Sequence, residues 1–385
     1  MLRRRGVALG IVLALLVAAC GGDGGEEQGA GQDDGDQVGF GAVELLQPSE
    51  ETRGPLGEEP ADSQSITLSE EDIAALQALD ADGDGLEAAI LWPASFQFYK
   101  VAGNGIVSEL EKVGAEVIAT TDSGYDPAIQ ANDVETVLAS EPELIFTWLV
   151  DPVQGAEAFR PAVDSGVSVA FMSNLPDGFQ HPADYSSVVT DDLYRMGEAA
   201  AEMMAEALGG EGQIGWIFHD ANAYVTNQRD QAFKAVIEER YPDIEIVAEG
   251  GFAEPQQTFD ITNSMLLQHP DIDGIYAPWA VPAASVVEAL RAEGRDDVKV
   301  VTLDLDPTVA VDMAEGGNIV GIVADVPYEI GRAMGAAALL KLLGKESPPF
   351  AIVPTMKVTR ENLVTAWRES LKEDPPPEVL EALEG

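Results

Sequence analysis

At the end of a short apolar run at residues 88–92 and directly behind it, the chain places Trp92, Phe96, Phe98 and Tyr99 within one stretch. Aromatic side chains crowded at the end of such a run point to recognition of a small molecule rather than to bond making, because rings offer area and no reactive atom. The residues that could break or make bonds are sparse. The three histidines, His181, His219 and His269, are scattered, and the single cysteine, Cys20, excludes an intrachain disulfide and the usual cysteine zinc clusters. No nucleophile elbow, metal-ligand cluster or phosphate loop is present. Paired carboxylates such as Asp304 and Asp325 could perform acid–base work on a glycoside. Nothing else supports that reading, so the chain is expected to be a binding module, not an enzyme, with no cofactor and no metal.

The elements that position these residues follow from periodicity. Residues 88–92 are too few for a helix and end at Pro93, which predicts a strand; a loop over 94–99 and an amphipathic helix to Gly114 follow. The same unit then recurs. Strands are predicted at 116–120, 144–147 and 168–171, with helices near 128–140 and 155–165 between them. Past the helix that ends at Leu208, a second set has strands at 213–218, 245–248, 274–277, 299–303 and 319–323. A helix over 328–343 and short runs at 350–353 and 356–358 close the series. Alternation of this kind predicts an α/β fold of two doubly wound Rossmann-like lobes. A three-strand hinge would join them, with the ligand cleft between, where strand carboxyl ends open onto a crevice. The expected boundaries are residues 86–190 plus 326–353 for lobe 1, 191–325 plus 354–372 for lobe 2, and a loose tail at 373–385.

The 385 residues, 46% of them hydrophobic, are enough for two cores. With 68 acidic against 21 basic residues, the net charge of −47 excludes nucleic acid as a partner, since a phosphate backbone needs a basic face. The excess reads as a solubility device for salty or alkaline surroundings. At the front, Arg3, Arg4 and Arg5, an apolar run at 7–17 and small residues have the layout of a secretory signal peptide over residues 1–20. Leu16-Val17-Ala18-Ala19-Cys20 resembles the lipobox of bacterial lipoproteins, which implies lipidation of Cys20 and anchoring to the outer face of the cell membrane. Residues 21–85 read as an acidic flexible tether with a short N-capped helix after Ser69. The acidic turn at 80–85 starts like a calcium loop, but its twelfth position is Leu91, where the loop needs a bidentate Glu.

Five pieces in order now resemble the ribose-type group of type I periplasmic solute-binding proteins, the extracytoplasmic receptors of ABC sugar importers. They are Phe96-Gln97-Phe98-Tyr99, the stretch from Thr190-Asp191-Asp192 to Gly197, Asn227-Gln228-Arg229-Asp230, the stretch from His269 to Ala277, and Asp325-Val326-Pro327-Tyr328-Glu329-Ile330-Gly331. The resemblance covers about residues 87–358. Repressors with the same lobes carry a DNA-binding element at the front, where this chain has a signal segment and an acidic leash.

What the resemblance implies is a sugar held between the lobes, with rings stacked on its C–H faces and polar groups on its hydroxyls. Carried over position by position, the ligand-binding set is Trp92, Phe96, Phe98, Tyr99, Ser173, Asn174, Asn227, Trp279, Asp304 and Asp325. Phe252 is a further candidate, and Arg229 matches an arginine that is more often structural. Two arginines expected from the family stand here as Asn174 and Asn227, while Asp304 and Asp325 are carboxylates. A buried carboxylate must find donors, so a neutral sugar or polyol is expected and an anionic ligand is not. The expected partners are that ligand, an ABC permease and the membrane through the lipid, with the protein a monomer. The alternative is a receptor for an autoinducer or an amine that feeds a signalling or chemotaxis system.

Overall fold

A strand covered by helices on both faces must be apolar throughout, and the short hydrophobic runs of this chain form two such sheets. The computed structural model describes residues 43–79, 85–221 and 223–385, all within one compact unit. The signal segment, Cys20 and residues 80–84 of the acidic turn lie outside the described residues. In chain order the elements begin with β1 (Ala61–Asp62), α1 (Glu70–Leu79), β2 (Glu87–Trp92), α2 (Gln97–Val113), β3 (Glu116–Asp122), α3 (Pro127–Leu138), β4 (Leu144–Trp148), α4 (Pro152–Asp164), β5 (Ser168–Met172) and β6 (Val188–Asp191). There follow α5 (Leu193–Leu208), β7 (Gly212–His219), α6 (Tyr224–Arg240), β8 (Ile244–Phe252), α7 (Gln257–Gln268), β9 (Gly274–Tyr276), α8 (Ala280–Glu293), β10 (Lys299–Leu303), α9 (Pro307–Ala314) and β11 (Ile319–Ala324). The chain closes with α10 (Pro327–Leu342), β12 (Phe350–Val353), β13 (Met356–Val358), α11 (Leu363–Leu371) and α12 (Pro377–Glu384).

The first sheet has the order β1-β12-β6-β5-β4-β2-β3, with every neighbouring pair parallel. The second has the order β13-β11-β10-β9-β7-β8 and is parallel except for β13. In each sheet the order reverses around one strand, β2 between β3 and β4 and β7 between β8 and β9. Crevices form at the carboxyl ends of strands where such a reversal occurs. The chain passes from one sheet to the other after β6, after β11 and between β12 and β13.

Helix α2 follows the aromatic stretch, and it is held close to α10 by small residues. A Cβ on Gly105 would collide with the Tyr328 carbonyl, and one on Gly331 with the Ala102 carbonyl. Backbones this close fix the height at which α2 starts. That start corrects one expectation: the loop ends at Phe96, so Phe98 and Tyr99 lie in the first turn of α2 rather than in a loop.

The N-terminal stretch gives a second correction. Composition places residues 43–64 within a flexible tether, yet they are fastened to both sheets. Leu45 bridges Met356 in antiparallel fashion, and the Leu46 N–H donates to the Thr355 carbonyl at 2.8 Å. The Ser49 N–H donates to the Asp192 carboxylate at 2.8 Å, and the Thr52 hydroxyl donates to its other oxygen. Tyr224 of α6 donates to the Arg53 carbonyl. The strap then moves to the first sheet, where β1 pairs with β12 and Arg332 donates to the carbonyls of Ser63 and Ile66 at 3.0 and 2.9 Å. Its last helix, α1, is capped reciprocally by Ser69 and Asp72, buries Leu76 and is tied by an Asp72–Lys345 ion pair. Composition predicts a leash because the stretch is acidic and poor in apolar residues; its order comes from partners more than a hundred residues away. The tail is corrected likewise. Residues 377–384 form α12 against α9, with Val379 buried and Arg360 donating to the Leu383 carbonyl at 3.1 Å.

Candidate ligand-binding cleft

Two groups of rings occupy the two points of strand reversal. On the first sheet, Trp92 ends β2 and packs on Tyr99 with ring centroids 5.4 Å apart, while Phe98 meets Tyr99 edge-on at 5.2 Å. The Tyr99 hydroxyl lies 3.2 Å from that of Tyr125, whose ring stands edge-on to Trp148 at the end of β4. On the second sheet, His219 at the end of β7, Phe252 at the end of β8 and Trp279 before α8 are in mutual ring contact at 5.2–5.6 Å.

Charged residues from the ends of three more strands gather around one arginine. Asp304 follows β10, Asp325 follows β11 and Asp191 ends β6. Arg229, in the second turn of α6, donates to Asp304 at 3.0 Å and stands 3.7 Å from Asp191. The Arg229, Asp191 and Asp325 side chains are buried, whereas one third of the Asp304 side chain is open to solvent. Burial works against the Arg229 charge, and Asp304, Asp191 and Asp325 more than restore it. Burial pushes the Asp191 carboxyl up to about 6, with Arg229 opposing it. Burial raises Asp304 against the pull of Arg229. Asp325 is pushed well above the carboxylate range, by burial first and by Asp304 and Asp191 next. Burial, Tyr125 and the negative charge of Asp304 keep the Tyr99 phenol neutral far above its ordinary range, and burial and Asp304 also raise Tyr125. Asp304 of the second sheet therefore lies near enough to the tyrosines of the first for its charge to act on them.

Asp304 and Ser173 share an uncommon backbone. Each leaves its strand at positive φ, +65° and +61°, while its N–H still donates to the neighbouring strand, Asp304 to the Val323 carbonyl and Ser173 to that of Val189, both at 3.0 Å. A non-glycine residue in that region is held there by its surroundings and turns its side chain out of the strand line.

The predicted residues divide as follows. Trp92 is 4% and Tyr99 6% exposed, so both rings serve chiefly as the packed wall of the first lobe, while Phe98 is half-buried and Phe96 is 59% exposed. The Ser173 hydroxyl is engaged with that of Thr190 at 2.8 Å, and the Asn174 amide donates to the Leu149 carbonyl at 2.8 Å. Asn227 lines a recess of about 250 Å³ with Trp216, Phe218, His219 and Asp230. Trp279 joins the ring group of the second lobe, and Asp304 and Asp325 join the cluster around Arg229. Asp304 finds one of the donors a buried carboxylate needs within the protein itself, in Arg229. A larger cavity of about 320 Å³ lies away from the rings, beneath the strap at Leu45 and Ser63 and beside Pro354 and Lys372. Tyr125, Trp148, His219 and Asp191 are site residues that the sequence alone does not single out. The signal that marks them is position: Trp148 and His219 end strands at or beside a reversal and Asp191 ends β6, and only pairing order shows which ends converge.

A model of the periplasmic binding protein domain matches residues 88–346. The chain belongs to this family. As a periplasmic binding protein it has a two-lobed α/β fold, like the solved type I binding proteins it superposes on. It is 25% identical over 251 residues to the ribose import binding protein of Bacillus subtilis (strain 168), covering 65% of this chain and 79% of that protein. It is 28% identical over 253 residues to the D-apiose import binding protein of Actinobacillus succinogenes, covering 64% and 78%. Among solved structures, a sugar-binding protein of a sugar ABC transporter from Bacillus halodurans superposes with a TM-score of 0.66 at 22% identity, over 73% of this chain and 99% of that one. The periplasmic binding protein match starts at residue 88, so the strap and α1 precede it.

Proposed function

We propose that this chain is the extracytoplasmic receptor of an ABC importer and that it closes its two lobes by hinge motion on a sugar or polyol. The observation that carries the reading is the pair of ring groups at the two strand reversals together with the Arg229–Asp304 pair. Rings suit the C–H faces of a polyol, and the carboxylate and guanidinium suit its hydroxyls. Three crossings between the sheets give a hinge, and closure is driven by the ligand's preference for the closed state. The names of the relatives, import binding proteins for ribose and D-apiose, support transport as the purpose. The lipobox-like segment supports a lipid on Cys20 that holds the receptor outside the cell membrane, and no helix among the described residues is long and apolar enough to cross one.

The test is a melting-temperature screen against pentoses, hexoses and polyols. A ligand at about 100 times its Kd stabilises the folded state by about 2.7 kcal/mol, which gives a clear upward shift. No shift from any member would overturn the sugar reading.

A further inference from the structure

The cluster around Arg229 is out of charge balance. Asp191, Asp304 and Asp325 all share the field of this one guanidinium, which bonds Asp304 and stands near Asp191. Asp325 is left over. It is 3% exposed, and its Oδ2 has no hydrogen-bond partner; Asp191 Oδ1 is in the same condition. Leu303 of β10 pairs with Val323 of β11, so Asp304 and Asp325 leave neighbouring strands side by side. Asp304 is the member open to solvent, and burial beside Asp304 and Asp191 holds Asp325 protonated, whereas an ammonium placed against it would favour its ionised form. The next carboxyl along α6, Asp230, offers no relief, because its oxygens accept from the His219 N–H and the Tyr276 hydroxyl.

Three kinds of visitor could answer this demand. A metal ion is disfavoured, since among the described residues no group of three or more acidic, histidine or cysteine side chains is placed to hold one. Ligand hydroxyls supply donors and leave the excess negative charge in place. A protonated amine supplies up to three donors and a positive charge at once, and charge-assisted hydrogen bonds are about twice as strong as neutral ones.

We infer that the solute this receptor prefers is a polyhydroxylated compound bearing a protonated amine, an amino sugar or amino polyol, with Asp304 and Asp325 as the residues that select the ammonium. The inference rests on the proposed function, and it sharpens the ligand class within it.

Matched pairs test it at pH 7 by calorimetry on the unmodified protein: D-glucosamine against D-glucose, D-galactosamine against D-galactose, and 1-amino-1-deoxy-D-sorbitol against D-sorbitol. N-acetyl-D-glucosamine serves as the amine with its charge removed. The expected result is that in at least one pair the amine binds about tenfold or more tightly than its neutral partner, as one charged hydrogen bond supplies, and that acetylation abolishes the gain. In Asp325→Asn the preference for the amine over its neutral partner should shrink to about threefold or less. Melting of the variant without ligand confirms that it is folded. Neutral members binding as tightly as the amines, or tighter, overturn the inference and leave the sugar receptor standing. An undiminished preference in Asp325→Asn overturns the assignment to that residue. Binding of no member of any pair overturns both readings.

Discussion

Asp230 follows Arg229 in sequence yet belongs to a different network. It is 3% exposed and accepts the His219 N–H at 3.0 Å and the Tyr276 hydroxyl at 2.9 Å, while the Tyr276 ring stacks on Phe233 with centroids 4.0 Å apart. Burial pushes its carboxyl up to about 7 against the pull of those two hydrogen bonds. The folded state thus holds the proton more tightly than the unfolded chain, whose carboxyl titrates near 3.8. The stabilisation from Asp230 is fully present below about pH 4 and is lost as pH rises through about 7, at up to ~1.4 kcal/mol per pH unit between them. Asp191, at about 6, adds in the same direction. Asp230→Asn should therefore flatten the fall of melting temperature between pH 4 and 7, with the residue of the slope left to Asp191 and others. An unchanged slope would show that Asp230 does not hold its proton in the fold. At this scale the sequence is informative about type and silent about pairing. Asp304 is legible as a polar residue after a strand, but its bond to Arg229 joins positions 75 apart that nothing local connects.

The elements are legible where physics leaves little choice. β10, β12 and β13 lie within the bounds that their apolar runs predict, because a buried parallel strand, or a short strand at its edge, shows itself by composition. β6, Val-Val-Thr-Asp, is short and half polar, and its pattern is that of a connection. The strap is hidden altogether, since two-residue β1 has no periodicity and its fasteners are single hydrogen bonds to distant partners. Asp192 is the fastener that matters most. It caps α5 by accepting the Arg195 N–H at 3.1 Å and receives Ser49 and Thr52 of the strap on the same carboxylate. Losing a cap costs about 1 kcal/mol, and hydrogen bonds to a buried charge contribute about 1.5–3 kcal/mol each. Asp192→Ala should cost roughly 2–4 kcal/mol and Thr52→Val about 1–2 kcal/mol in urea unfolding. The double variant should fall short of their sum by about 1 kcal/mol or more, the signature of residues that share a bond. Additive losses would show that the strap is not held through Asp192.

Taken whole, the molecule carries a net charge of −47 over two lobes whose cores are conventional, and the repeated strand–helix alternation of the sequence is enough to announce those lobes. What the repeat could not announce is that the matched region, residues 88–346, stops short of pieces the described fold relies on. One of these is β1. Residues Ala61 and Asp62 pair with Ala351 and Ile352, and Gly54 rests against Phe350, so the strap lies along the outer side of β12. Phe350 and Ile352 are 0% and 3% exposed. A chain shortened to begin at Leu86, as the family match invites, leaves that strand with open N–H and C=O groups and apolar neighbours, which is a template for pairing with another chain. Such a chain should elute as dimers or larger species at concentrations where one beginning at Val43 elutes as a single smaller species. Identical elution of the two would show that β12 needs no cover. The short strand that looks dispensable by length would then set the solubility of the receptor, and the choice of first residue decides whether binding is measured on separate molecules or on their aggregates.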